Sequence, residues 1–136
     1  MQKIDFKQLE KELEEIRDEV VEKELEEFKK EGFAYNVYQS DILGNSTGPA
    51  IGGMYDICGG AYIYFRDKRS SFYKQYKSYL KSLPENKDDK WFEVTHFYYP
   101  SSGRQELCLN TKLARCCCEH INKKYNAGCG YRAFVD

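Results

Sequence analysis

The chain has 136 residues, with 21 Lys and Arg against 22 Asp and Glu, for a formal net charge of −1. That length gives one domain with room for one core. The near-zero charge offers no global field toward nucleic acid or membrane, and no stretch approaches the length of a membrane span.

The charge is unevenly placed. Residues 1–32 hold 7 basic and 12 acidic side chains, a net −5, which leaves +4 on the remainder. An acidic arm on a mildly basic body is expected to dock on its own body or on a neighbouring subunit. The start, Met1-Gln2-Lys3-Ile4-Asp5, lacks the apolar region of a signal peptide. The six cysteines are even in number, but Cys116, Cys117 and Cys118 are consecutive on an expected helix. Their Cβ atoms would fan out by about 100° per residue, which does not suit neat pairing. A reduced, cytoplasmic setting is expected.

Residues 4–30 read as one long helix. Leu9, Leu13, Ile16 and Val20 follow heptad spacing, and the stripe then slips to Val21, Leu25 and Phe28. That drift suits one amphipathic helix lying on a body, or a short dimer contact, better than an extended zipper. The intervening glutamates and lysines read as a solvated face, and Gly32 is a good C-cap. Phe33 to Gln39 reads as a strand. Residues 40–60 read as a long loop, with Gly44, Gly48, Gly52, Gly53, Gly59 and Gly60 and a short strand within Ile51–Ile57. Loops of this length are uncommon and often functional.

From residue 60 the pattern becomes regular. Ala61–Phe65 is an aromatic, β-branched strand. Ser70 or Ser71 caps a helix ending near Leu83, with Phe72, Tyr76, Tyr79, Leu80 and Leu83 inward. Trp91–Tyr99 is a strand, Pro100–Gly103 a turn, and Arg104–Leu109 the second strand of a hairpin. Asn110 or Thr111 caps a helix through Tyr125, ended by Asn126-Ala127-Gly128. Tyr131–Val135 is a last strand. Residues 61–135 therefore read β-α-β-β-α-β, an α+β fold of the ferredoxin-like type with both helices on one face of an antiparallel sheet. The first helix and strand are additions, and the long helix is expected over the open sheet face or between two copies across it.

Five kinds of site are considered. The Gly44–Gly60 loop lacks the Walker lysine and the dinucleotide fingerprint, although its backbone amides suit an anion. Cys116 and His120 stand one helical turn apart, a spacing that suits zinc, with Cys129 or Cys58 as further ligands; the paired Cys-x-x-Cys knuckles are missing. A cysteine nucleophile needs a base, and only His96 and His120 are available. Cys58, next to Gly59-Gly60, is expected near His96 if strands 61–65 and 91–99 are neighbours. Tyr62 and Tyr64 on one strand and Phe97 and Tyr99 on another suit base stacking, and the basic residues Arg66, Lys68, Arg69, Lys74 and Lys77 follow the first strand. The RNP1 pattern is absent, so nucleic acid is not the expected partner.

The remaining reading is a protein-binding module. Twelve tyrosines give an excess of a residue common at binding faces. Candidate contact residues are Gly52, Gly53, Tyr55, Asp56, Tyr62, Tyr64, Trp91, Tyr99 and Arg104, with Tyr38 beside them. Gly59-Gly60-Ala61-Tyr62-Ile63-Tyr64-Phe65 resembles the Gly-Gly-aromatic strand of plasmid antirestriction proteins. Leu107-Cys108-Leu109-Asn110-Thr111 before Ala114 resembles their strand preceding an alanine-rich helix. The Ser-Asn-Gly-Gly continuation of that family is absent. The expectation is a non-catalytic intracellular binding protein without a cofactor, a small inhibitor or regulator of a macromolecular partner of the kind carried by phages and mobile elements. The alternatives are a small-ligand or nucleotide binder using loop 44–60 and its tyrosines, and a cysteine-dependent enzyme.

Overall fold

A long helix, α1 (Phe6–Glu31), opens the computed structural model, which describes residues 3–32, 34–37, 43, 48 and 52–136. The Asp5 carboxylate starts α1 by accepting the Gln8 amide at 3.1 Å. Gly32 ends it at φ 79°, a backbone angle that suits glycine. Leu9, Leu13 and Phe28 are buried, so the stripe that drifts in sequence stays against one surface.

That surface belongs to α3 (Leu107–Tyr125), with the N-terminal turn of α1 seated on α2 (Ser71–Lys81). The acidic arm thus docks on its own body, and two of its glutamates leave the solvated face to do so. Glu24, 9% exposed, accepts from Lys112. Glu12 accepts from His120 Nε2 at 2.8 Å and from Lys124 at 2.7 Å. Burial acts to raise the Glu12 pKa, but the Lys124 and His120 hydrogen bonds outweigh it and hold the carboxyl below its ordinary value.

Two short strands, β1 (Tyr35–Val37) and β2 (Gly52–Met54), pair antiparallel. The main sheet has three antiparallel strands in the order β4-β3-β5, from β3 (Gly59–Phe65), β4 (His96–Phe97) and β5 (Cys129–Val135). Helix α3 packs on β3 and β5. On that side Ile63, Phe65 and Cys129 join Phe72, Phe97, Leu113, Cys117 and Ile121 in the core. Ser70 caps α2 by accepting the Tyr73 amide at 3.1 Å, and Phe72 and Tyr76 of α2 meet Phe97.

The fold is an α+β mixture of three helices and a three-stranded antiparallel sheet. The expected ferredoxin-like hairpin does not form within it. Trp91–Tyr99 contributes only His96–Phe97, and Arg104–Leu109 is one bridge, Cys58 to Glu106, followed at once by α3. The turn at Pro100–Gly103 does not reverse the chain. β4 runs antiparallel to β3 at Ile63–Tyr64, and Glu106 pairs antiparallel further down the same edge at Cys58. Between these points the chain takes nine residue steps, 97 to 106, against five on β3, 58 to 63. The surplus bulges away from the edge.

Tyrosine hydroxyls and one asparagine bond the backbone where this irregular stretch leaves regular pairing. Tyr73 donates to the Val94 carbonyl at 3.2 Å, and Tyr76 accepts the Tyr98 amide at 3.0 Å. Tyr99 donates to Ala61 at 2.6 Å, and Asn110 donates to Gly59 at 2.9 Å and Arg104 at 3.0 Å. Three of the twelve tyrosines thus serve internal backbone groups.

Helix α3 also begins earlier than expected because its cap is supplied from a distance. The N-cap residue Glu106 makes no side-chain cap bond. Asp56, 52 residues away in sequence, accepts the Cys108 amide at 2.8 Å. No helix among the described residues is long and apolar enough to cross a membrane.

Candidate functional site

Residues alternate across β3, so while Ile63 and Phe65 enter the core, Tyr62 and Tyr64 project from the opposite face. Among the described residues, the helix side chains of the core pack on the other side, with Ile63 and Phe65. The register places Tyr62 opposite Arg132, Tyr64 between Gly130 and His96, and Gly60 opposite Phe134. The resulting surface is half-buried at Tyr62 and Tyr64 and 46% exposed at Phe134.

Two glycines shape it. A Cβ on Gly60 would stand 2.7 Å from the Phe134 ring, and one on Gly130 would stand 2.6 Å from the Tyr64 ring. Each ring therefore lies down over a cross-strand glycine. Tyr62 sits among them, 6.4 Å from both Phe134 and Tyr64, with its ring edge-on to His96 at 4.7 Å. Gly59 is different. Its Cβ would meet the Phe134 carbonyl oxygen at 2.5 Å and Leu107 at 2.6 Å, so it answers to core packing.

Two guanidinium groups flank the platform. Arg132 lies 5.5 Å and Arg66 6.0 Å from the Tyr64 ring centroid. Neither forms an ion pair among the described residues. Neighbouring charges are self-compensated: Lys68 reaches Glu93 at 3.9 Å, and Arg69 reaches Asp67 at 3.3 Å.

At the other end the platform opens into a cleft of about 350 Å³, left where the chain bulges away from β3. Tyr62, His96, Tyr98, Tyr99, Ser102 and Phe134 contribute to its walls. Burial raises the Tyr99 phenol to about 12, so it stays a hydrogen-bond donor.

The expected contact residues separate into groups. Tyr62 and Tyr64 form the platform, and Tyr99 and Arg104 border the cleft. Arg104 is also held by Glu106, through Nε at 3.0 Å and a second guanidinium contact. It lies 5.7 Å from the Tyr55 ring, which stacks on Phe28 at 4.9 Å and ties the end of α1 to the body. Asp56 is the cap of α3. Gly52 and Gly53 pair with Val37 and Asn36 in the small sheet. Trp91 stands apart, 90% exposed. Tyr38 and most of the stretch from 44 to 51 lie outside the described residues. Sequence reasoning omitted His96, Arg66, Arg132 and Phe134 from the contact set. Alternation along Tyr131–Val135 carried the signal for the last two.

Cys116 and His120 face α1, where His120 is engaged by Glu12, whereas Cys129 is buried in the core. No three metal-capable side chains converge among the described residues. His96 pairs with Tyr64, six positions along the chain from Cys58, a separation of roughly 20 Å. The two strands are neighbours, but their register keeps this thiol and imidazole apart. All six cysteines are free, and burial raises Cys117 and Cys129 to about 12 and Cys108 to about 11.

Comparison with family models, with curated proteins and with solved structures gave no match for this chain. Of the two stretches that resemble antirestriction proteins, Gly59–Phe65 is a strand, whereas Leu107–Thr111 is the start of α3 and not a strand before it.

Proposed function

We propose that this chain is a non-catalytic binding protein whose contact surface is the helix-free face of its main sheet. It acts as a small regulator by occupying a macromolecular partner. The observation that carries this reading is the pair of rings, Tyr64 and Phe134, laid over Gly130 and Gly60 on the face opposite the helix-packed core. Rings held down in this way lose little further freedom on contact, which lowers the entropic cost of binding. Tyr and Arg are the residues that dominate binding hot spots, and Tyr62, Tyr64, Arg66 and Arg132 supply them here.

The partner in this reading is a protein with an acidic, apolar patch. Two guanidinium groups without an ion pair among the described residues, beside stacking rings, also favour a second reading, single-stranded nucleic acid. The test compares the wild-type chain with Tyr62→Ala/Tyr64→Ala, whose changed side chains lie outside the core. Affinity capture from a host extract, with and without nuclease, is read for proteins and nucleic acid. A stoichiometric partner lost by the variant supports the surface, and its nature decides between the two readings. A partner retained equally by the variant rejects the surface.

A further inference from the structure

Among the described residues, the seven-residue strand β5 has β3 as its one neighbour in the sheet. Two hydrogen bonds fix the phase of that pairing. The Asp136 amide donates to the Cys58 carbonyl at 3.2 Å, and the Arg66 amide donates to the Gly128 carbonyl at 3.4 Å. Bonded pairs in an antiparallel ladder recur at every second residue. Gly130, Arg132 and Phe134 therefore turn their backbone groups toward β3, and Tyr131, Ala133 and Val135 turn theirs outward. Edge strands are usually blunted by lysine, proline, a bulge or short length. β5 has no proline or lysine, keeps unbroken register with β3 from Cys129 to Val135, and carries one charge, Arg132. Its exposed apolar residues point to both faces: Tyr131 is 38% exposed, Phe134 46% and Val135 64%.

We propose that β5 pairs antiparallel with β5 of a second copy of this chain, about a two-fold axis at Ala133. Two neighbouring registers are poorer. An axis at Arg132 sets that charge against itself, which is unfavourable. An axis at Phe134 leaves only Ala133 and Val135 to bond outward. With the axis at Ala133, all three outward residues are bonded, and Tyr131 meets Val135 of the second copy, an aromatic on a β-branched side chain. Arg132 then faces Phe134 of the second copy on the helix-free side, within reach of a cation–π contact.

The helices permit this arrangement. α3 packs on both β3 and β5, so the two α3 axes would stand about two strand spacings apart, roughly 10 Å, a distance at which helices pack. The product is a six-stranded sheet in which the two helix-free faces become one surface. This pairing does not depend on what that surface binds.

The test is sedimentation equilibrium of the full chain over a concentration series. Ala133→Pro removes an outward N–H while sparing the bonds to β3. Tyr131→Lys/Val135→Lys leaves the backbone intact and sets lysine against lysine across the axis. The wild-type chain is expected to be a dimer and both variants monomers, with unchanged circular dichroism. Should Ala133→Pro fail to fold, the lysine variant decides alone. A wild-type chain that stays monomeric, or a dimer that survives in the lysine variant, overturns the proposal.

Discussion

The Tyr64 ring lies over Gly130 on the neighbouring strand, so close that a Cβ at residue 130 would stand 2.6 Å from the ring's Cζ. Phe134 bears the same relation to Gly60, its direct partner in the same ladder, four residues along β3. Small residues thus set the height of the aromatic platform, and the platform is testable through them.

Gly60→Ala and Gly130→Ala are expected to lift their rings into solvent. Each ring end is free to move, so each change costs about 1 kcal/mol of stability while weakening partner binding. Gly59→Ala behaves in the opposite way. Its Cβ would strike the Phe134 carbonyl oxygen, which is fixed in the β3–β5 ladder. A loss of about 3 kcal/mol is expected. Urea unfolding of the three variants measures this order directly.

The bulge beside the cleft should depend on the groups bonded to its backbone. Tyr99→Phe removes the bond to Ala61 and is expected to cost about 1 kcal/mol. Arg104→Ala strands the Glu106 carboxylate, which is 2% exposed, and is expected to cost about 3 kcal/mol. Adding Glu106→Gln should recover part of that loss, because a neutral amide tolerates burial without a cation. Chemical denaturation of the single and double variants measures the recovery.

Most helices and strands were legible from local pattern. The stripe from Leu9 to Phe28, the Ser70 cap and the aromatic strand at Ala61–Phe65 each announce themselves within a few residues. Failures came where the deciding partner is remote. Arg104–Leu109 has strand-like alternation, but Asp56 captures the Cys108 amide and starts a helix there. Trp91–Tyr99 reads as a strand, yet the hydroxyls of Tyr73 and Tyr76 hold Val94 and Tyr98 in an irregular path. The platform was half legible: Tyr62 and Tyr64 were evident, and alternation along Tyr131–Val135 held the signal for Arg132 and Phe134, whereas His96 required the register with β3.

Thiol reactivity should follow burial. Burial raises Cys108 to about 11 and Cys117 and Cys129 to about 12, so their thiolate fractions at pH 8 are very small. In the folded protein, iodoacetamide is expected to label the partly exposed Cys58 and Cys116 ahead of the buried Cys117 and Cys129, and ahead of Cys108, which is also partly exposed but whose thiol is raised. Mass spectrometry of timed digests reads the order, and unfolding in urea should abolish it.

Acid should loosen α1 from α3. The Glu12 carboxyl titrates below its ordinary value of 4.5 in the folded chain. Its contribution is therefore complete above pH 4.5 and is lost as pH falls through the lowered folded value. Glu12→Gln is expected to flatten stability against pH in that range. Thermal melts of both proteins between neutral and acid pH supply the comparison.

Hydroxyl-radical footprinting of the chain with its captured partner tests the binding surface most directly, because the reagent reads exposed aromatic side chains one by one. Tyr62 and Tyr64 are expected to become protected on binding, with Trp91 reacting unchanged as an internal reference. Protection of Trp91 with Tyr62 and Tyr64 unaffected would contradict the account.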